Sequence, residues 1–359
     1  MLITPMTRTS VRFLVACLCF TRFAVCQEQI PASPPTLKPR PPADHHLQLD
    51  VVVTDKAGQT VSNLSQAGFT VLDNNHRRAL VSFQSVSGTN RGLDPGVQII
   101  FVLDAVNDST QRVAYARSQL EKSLREDNGR LSWPTLVILF TDDATKIEAA
   151  PTRDGNALAA MLESNPTGLR ILGRSAADDR ADLSLGALSR IIGYVAHQPG
   201  RKFVIWLSSG WPLLQGAYLT PTIERGIFGN VVDLTDQLEK QRITLYTVDP
   251  LGVTNAGGMR AFNYQSFLKP LGSWDQAEYG NLSLPVLAVQ SGGLVLNSGN
   301  DLTSEIAKCL NEAKSYYTLV FNAASALHPD EYHSVVVQLD KPGLRLRTRS
   351  GYYAQPYQR

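Results

Sequence analysis

The sequence predicts an α/β fold in which a doubly wound, mostly parallel sheet is inserted into a β-sandwich built from the two ends of the chain. Three observations support this fold class. Short apolar runs alternate with amphipathic helical patterns through the middle of the chain, and strands of alternating polarity both precede and follow that region. Strands separated by helices pair in parallel through right-handed crossovers, which place helices on both faces of the sheet.

The first 26 residues have the order of a secretory signal peptide. Arg8 and Arg12 precede the apolar run 13–20, and small residues lead to a cleavage position near Gln27. The apolar run is too short to span a bilayer stably. We therefore expect a secreted or periplasmic protein. An anchor that stays uncleaved, and so holds the protein at a membrane, is the alternative, because a further arginine follows the run closely.

Residues 27–44 are predicted to form a linker. Six prolines lie between Pro31 and Pro42, and proline-rich segments are extended and semi-rigid. Beyond the predicted signal peptide the sequence keeps one cysteine, Cys309, so we expect no internal disulfide in the mature chain.

Residues 45–91 and 316–354 are predicted to form the two parts of one β-sandwich. The segment 47–53 alternates apolar and polar residues, as a half-buried strand does, and the same pattern recurs at 316–321 and 333–339. Three short strands are marginal alone. We therefore expect the strands from the two ends of the chain to pair with each other.

Residues 92–315 are predicted to form the α/β domain between the two sandwich parts. Its strands are apolar runs too short to be helices, and its helices have apolar residues at helical spacing. The predicted strands cover 97–103, 135–140, 203–207, 243–248 and 293–297. The predicted helices cover 110–125, 154–163, 184–197, 230–240 and 302–314.

The first of these strands ends on Asp104, directly before a helical pattern. In an open α/β sheet, a carboxylate at the carboxyl end of a strand lies where ligands bind. Asp104 is therefore the first candidate site residue. A capping role in the turn between strand and helix is the alternative.

Several segments of the central region resemble the von Willebrand factor A domain. They are FVLDAVND, LFTDDATKIEAAPTRDGNAL, RKFVIWLSSGWP, LYTVDPLG and QSGGLVLNSGNDLTSEI. The flanking segments LDVVVTDKAGQTVSNLSQAGFTVLDNN and LRLRTRSGYYA resemble the surroundings of this domain in a secreted bacterial subfamily of VWFA-related proteins that is frequent in acidobacteria. The resemblance covers roughly residues 47–354. It implies a von Willebrand A-like fold for the α/β domain and a role in adhesion or protein interaction.

Domains of this family typically bind a divalent ion at the carboxyl ends of the strands. Their ligands are an Asp-x-Ser-x-Ser loop, a Thr from a later loop and a final Asp. In this chain Asp104 matches the first Asp and Asp108 replaces the second Ser. The Thr position falls near Asp182, and Ser209 replaces the final Asp. Val106 replaces the first Ser and cannot coordinate an ion. The resemblance thus implies a degenerate site, in which a metal-free scaffold is favoured over Mg²⁺ binding.

The loops at the carboxyl ends of the strands are the predicted partner surface. A long insertion, residues 252–280, follows the strand at 243–248 and is expected at the same edge of the sheet as Asp104. Aromatic side chains dominate binding hot spots. Packing of the insertion over a sheet edge is the alternative. The candidate contact residues are Trp211, Phe262, Tyr264 and Trp274.

These observations favour an exported, non-enzymatic module that recognises a protein or a surface polymer. The formal net charge of +2 gives no reason to expect a nucleic-acid partner. A metal-assisted hydrolase that uses Asp104 and Asp108 is the alternative. That activity needs a positioned base or nucleophile, and the sequence pattern assigns none. We therefore predict no catalytic residue and no cofactor.

Overall fold

The computed structural model describes residues 46–88, 96–142, 145–147, 150–165, 177–211, 219–250, 252, 264–297, 299 and 301–356. The predicted signal peptide, the predicted linker and the candidate contact residue Phe262 lie outside these residues. The statements below concern the described residues.

The strands and helices are numbered in chain order. The strands are β1 His46–Thr54, β2 Phe69–Asp73, β3 His76–Arg78, β4 Leu80–Ser87, β5 Val97–Asp104, β6 Arg130–Phe140, β7 Thr145–Ile147, β8 Thr152–Asp154, β9 Arg201–Leu207, β10 Ile243–Val248, β11 Val295–Leu296, β12 Ser315–Asn322, β13 Glu331–Leu339, β14 Arg345–Arg347 and β15 Gly351–Ala354. The α-helices are α1 Thr110–Arg125, α2 Gly155–Ser164, α3 Ala177–Val195, α4 Pro221–Lys240, α5 Leu284–Gln290 and α6 Leu302–Glu312.

The central sheet has the strand order β11-β10-β9-β5-β6-β7, and β8 also pairs with β6. Strands β11, β10, β9, β5 and β6 are parallel to their neighbours, whereas β7 and β8 pair with β6 in the antiparallel sense. All eight residues of β5 are buried, as its unbroken apolar run predicts for a strand covered on both faces. This arrangement confirms the predicted mostly parallel sheet.

Helices cover both faces of this sheet. Ile100 and Val102 of β5 belong to a buried cluster that includes side chains of α3, α4 and α5. Their neighbours Ile99 and Phe101 belong to a second cluster, with side chains of α1, α2 and α6. Successive residues of a strand point to opposite faces, so the two clusters are the two cores of a doubly wound sheet.

The strands from the two ends of the chain form a β-sandwich, as predicted. One sheet has the order β14-β1-β12-β4 and the other β15-β13-β2-β3. The two sheets share one apolar core, in which the Phe69 ring of β2 lies 5.0 Å from the Tyr317 ring of β12, centroid to centroid. The α/β region is therefore inserted between two halves of the sandwich. The exact boundaries 45–91, 92–315 and 316–354 stay predictions.

Two helices begin earlier than the sequence pattern predicts. Helix α3 begins at Ala177 instead of residue 184, and α4 at Pro221 instead of residue 230. At α4, the Thr220 side chain accepts a hydrogen bond from the Ile223 backbone N–H (3.4 Å), which starts the helix. The first turns of α4 are exposed, so the apolar spacing used for the prediction begins only where the helix reaches the core.

The smaller differences lie at element ends. Strand β11 is shorter than the predicted strand at 293–297, and α6 ends at Glu312. In the described part of the chain, we find no helix that combines the length and the apolar composition needed to cross a membrane.

Candidate functional site

The carboxyl ends of β5, β9 and β10 position the candidate site. After β5 the chain continues to β6 on one side, and later returns to β9 on the other side of β5. Ligands of open α/β sheets bind at such a reversal of strand order, beyond the carboxyl ends of the strands. We call the residues that end and follow these three strands, 104–109, 208–211 and 249–250, the rim.

Asp104 holds the first turn of the rim together. Its Oδ1 accepts hydrogen bonds from the backbone N–H groups of Val106 and Asn107, both at 2.9 Å. Its Oδ2 accepts from the Asn107 side-chain amide and from the Trp206 indole N–H, both at 2.8 Å. Burial raises the pKa of Asp104, and these hydrogen bonds offset part of that effect. Each carboxylate oxygen of Asp104 thus accepts two hydrogen bonds from the chain. This supports the alternative considered from the sequence, a capping role in the turn between strand and helix.

The contact that α3 makes with this turn comes from Ser184 instead of Asp182. The Asn107 amide also donates to the buried Ser184 hydroxyl at 2.9 Å. Asp182 lies on the exposed side of the same helix. Residues two apart on a helix point in different directions, so a helix that presents Ser184 inward turns Asp182 outward. Ser184, and not the candidate Asp182, is thus the α3 residue that the structure shows in contact with the turn after β5.

Asp108 and Ser209 do meet across the rim. The Ser209 backbone N–H donates to Asp108 Oδ2 at 3.0 Å, which joins the turn after β5 to the turn after β9. Burial and the neighbouring Asp104 carboxylate raise the pKa of Asp108 to about 6. Ser209 thus donates to Asp108 through its backbone and its side chain, and supplies no negative charge.

Two residues were missed by the sequence interpretation: Asp249, which belongs to the rim, and Arg112, which contacts it. Arg112 lies in the first turn of α1, and its Nη1 is 3.6 Å from Asp108 Oδ1 and 3.8 Å from Asp249 Oδ1. Asp249 directly follows β10, just as Asp104 ends β5. The four-residue spacing of Asp108 and Arg112 was a readable signal, because it sets an acid just before the N-cap of α1 close to a cation in the first turn of that helix.

The rim does not fit the divalent ion that the resemblance implies. The oxygens of Asp104 are taken by donors of the chain, and Val106 is a buried apolar residue. Asp182 is exposed, and the cation Arg112 already lies close to both Asp108 and Asp249. Among the described residues, no group of three or more His, Cys, Asp or Glu side chains could hold a metal ion.

Trp211 belongs to the core and does not fit the contact role expected for it. Its side chain is 5% exposed, and its ring packs edge-on against Trp206 with centroids 5.2 Å apart. The preceding Gly210 has a φ of 100°, a conformation that favours glycine. This turn directs the chain back, so that the ring enters the core beneath the rim.

The described part of the insertion is a compact segment that packs on α4 and α5. It contains three short 3₁₀ helices, Tyr264–Leu268, Trp274–Gln276 and Tyr279–Leu282. Leu271 and Leu282 are buried in the same cluster as side chains of these two helices. The described part of the insertion thus packs on two helices, whereas the alternative considered from the sequence was packing over a sheet edge.

Trp274 lies at the surface of that segment, where it meets α4. Its ring is half-buried, and the Arg225 guanidinium lies over it, 4.2 Å from the ring centroid. Ile223, in the same first turns of α4, is 38% exposed. Helix α4 follows β9, so its first turns are on the rim side of the domain. We call Ile223, Arg225 and Trp274 the α4 patch; Tyr264 is half-buried in the same segment.

Comparisons with known proteins identify no family for this chain. No protein-family model matches it, and no curated protein is significantly similar in sequence.

Solved structures share parts of the fold at low identity. The aerotolerance-related membrane protein of Bacteroides fragilis is 14% identical, with a TM-score of 0.35 over 61% of this chain and 100% of its own. The manganese-loaded TRAP protein of Plasmodium vivax is 10% identical, with a TM-score of 0.36 over 77% and 98%. The pilus adhesin SpaC of Lactobacillus rhamnosus GG is 7% identical, with a TM-score of 0.37; the match covers 82% of this chain and 49% of SpaC. The fold assignment therefore rests on the strand order and pairing described above.

Proposed function

We propose that this protein is an exported, non-enzymatic interaction module that binds a protein or a surface polymer on the rim side of its α/β domain. The observation that carries the proposal is the α4 patch, where a partly exposed tryptophan is held beneath an exposed arginine. The signal-like first 26 residues support export, and the resemblance to von Willebrand A domains supports a role in recognition.

The α4 patch has the chemistry of a binding hot spot. Trp and Arg are enriched among the residues that dominate interface energies. Here the stacking of Arg225 on Trp274 orders both side chains before any partner arrives. Side chains that are already ordered lose less conformational freedom on binding. Ile223 adds exposed apolar surface beside them.

The contacts of Asp104 and Asp108 favour a recognition module over a hydrolase. A general base needs a free acceptor directed at the substrate. The acceptors of Asp104 are engaged by Val106, Asn107 and Trp206. Asp108 Oδ2 accepts from Ser209, and Asp108 Oδ1 is buried and lies close to the Arg112 guanidinium. These contacts favour a structural role for both carboxylates over the metal-assisted hydrolase considered from the sequence.

Site-specific photo-crosslinking tests the proposal. A photoreactive amino acid is placed at Gln276, which is exposed next to Trp274, in the full chain produced in its source cells. The matched control places the same amino acid at Leu327, which is 83% exposed on the sandwich. We expect a discrete crosslinked product from the Gln276 position and none of the same mass from the Leu327 position.

A second substitution links that product to the α4 patch. Trp274→Ala in the Gln276 crosslinking protein should reduce the yield several-fold, whereas Val336→Ala, at an exposed apolar residue of the sandwich, should not. Equal products from Gln276 and Leu327, or a yield that Trp274→Ala leaves unchanged, would contradict the proposal.

A further inference from the structure

We propose that Arg112 is a built-in cation of the rim: its guanidinium supplies, permanently and without a metal, the positive charge that Asp108 and Asp249 require. This inference deepens the proposed function, because a rim completed in this way would bind its partner independently of divalent ions. The experiments below use the protein without a partner. The inference about Arg112 can therefore fail while the proposed function still holds.

The position of Arg112 carries the proposal. One guanidinium nitrogen, Nη1, lies within 3.8 Å of a carboxylate oxygen of Asp108 and of one of Asp249, at the ends of two different parallel strands. The Arg112 side chain is 16% exposed and that of Asp108 is 2% exposed. The cation therefore bridges two nearly buried acids that lie far apart in sequence.

Burial makes this charge necessary. Removing a carboxylate from water is costly unless an opposite charge or hydrogen-bond donors compensate it. Asp108 Oδ1 is buried and has no hydrogen-bond partner among the described residues, since its 3.6 Å separation from Arg112 is too long for a hydrogen bond. Ser209 donates to the other oxygen, Oδ2, so the charge that faces Oδ1 is that of the Arg112 guanidinium, which stays protonated at every physiological pH.

The start of α1 fixes the Arg112 backbone in place. Ser109 is the N-terminal cap of the helix, and its hydroxyl accepts a hydrogen bond from the Arg112 backbone N–H at 3.4 Å. The same short segment carries Asp108. The acid and its cation are therefore built into one capped turn, which forms whenever α1 forms.

The matched variants separate the charge of Arg112 from its bulk. Arg112→Met keeps most of the side-chain volume and removes the charge, whereas Arg112→Lys keeps the charge. With the charge gone, Asp108 and Asp249 form a carboxylate pair that a hard divalent cation can neutralise. We expect Arg112→Met to lower Tm by about 5 °C or more, and millimolar MnCl2 to raise that Tm again.

The wild type and Arg112→Lys should show no change of Tm with MnCl2, and calorimetry of the wild type should show no Mn²⁺ binding tighter than about 0.1 mM. In the double variant Asp108→Asn, Arg112→Met, Asp108 is neutralised and Asp249 is the one carboxylate left of the pair. We expect it to regain part of the Tm that Arg112→Met loses and to ignore Mn²⁺. This double variant also keeps the test decisive if Arg112→Met alone does not fold.

Three results would overturn the proposal. Arg112→Met could match the wild type in Tm, which would show that the charge is not required. Asp108→Asn could fail to compensate Arg112→Met. The wild type could bind Mn²⁺ at micromolar concentration, which would mean that Arg112 does not take the place of the ion.

Discussion

Arg242 forms a two-point ion pair with Asp50 at the junction of the sandwich and the α/β domain. Its Nη2 and Nε donate to the two oxygens of Asp50 at 2.7 and 3.1 Å. Arg201 approaches the same carboxylate, with its Nε 3.6 Å from Asp50 Oδ2. Asp50 belongs to β1, whereas Arg201 and Arg242 lie at the amino ends of the parallel strands β9 and β10. The base of the central sheet, opposite the rim, is thus joined to the sandwich by buried charge.

Removal of that carboxylate should destabilise the whole chain. Asp50→Asn leaves Arg201 and Arg242 without their acid, and loss of one partner from a buried ion pair costs about 3–5 kcal/mol. Urea unfolding of the full chain measures this loss. The control is Glu163→Gln, which breaks an exposed pair with Arg125 and should cost less than about 1 kcal/mol. Similar losses for the two variants would contradict the role assigned to Asp50.

The contribution of Asp50 should also depend on pH. Burial alone would raise the pKa of Asp50, but Arg242 and Arg201 outweigh burial and lower it below the ordinary value of 3.8. A carboxyl whose pKa is lowered by folding stabilises the protein above its unfolded pKa, and loses that effect as pH falls through its folded pKa. The stability difference between the wild type and Asp50→Asn should therefore be constant near neutral pH and shrink below pH 3.8. A stability difference that grows as the pH falls would contradict the prediction, because it would mean that folding does not lower the pKa of Asp50.

The two tryptophans considered for partner contact should behave differently. Trp211→Ala opens a cavity in the core and should cost about 3–5 kcal/mol of unfolding free energy. Trp274→Ala removes a half-buried ring and its contact with Arg225, and should cost about 1–2 kcal/mol. Denaturant unfolding of both variants checks this order. The reverse order would place Trp211 at the surface and Trp274 in the core.

Asp104 should be required for stability whether or not a metal is present. Asp104→Asn replaces one acceptor oxygen by a donor, so donors among the Val106, Asn107 and Trp206 groups lose their partner. Each buried donor left unsatisfied costs about 1–3 kcal/mol. We expect a loss of at least about 2 kcal/mol, equal in EDTA and in MgCl2. A loss that appears only in MgCl2 would instead identify Asp104 as a metal ligand.

The fold was predictable because its signals are local. The apolar run of β5 and the alternating pattern of β1 each indicate a strand without knowledge of its neighbours, and strand–helix alternation implies the parallel sheet. The starts of α3 and α4 were missed because the first residues of both helices lack the apolar spacing that marks a helix.

The position of the rim in the fold could be predicted from the sequence, but most of its side-chain contacts could not. Asp104, Asp108 and Ser209 follow strands that pair, so their proximity could be inferred. The approach of Asp249 to Arg112 joins residues 137 positions apart, and no local pattern reveals it. The contact of Ser184 was overlooked because a shift of two residues from Asp182 changes the face of the helix. The burial of Trp211 was overlooked because the turn at Gly210 returns its ring to the core.

The most direct test of the account is the affinity for the partner identified by crosslinking, measured with purified proteins in excess EDTA and again in millimolar MgCl2. We predict the same Kd in both buffers, and a Kd at least about fivefold higher for Trp274→Ala, with no change for Val336→Ala. Binding that is lost in EDTA and restored by MgCl2 would contradict the account, because it would show that the rim works through a divalent ion.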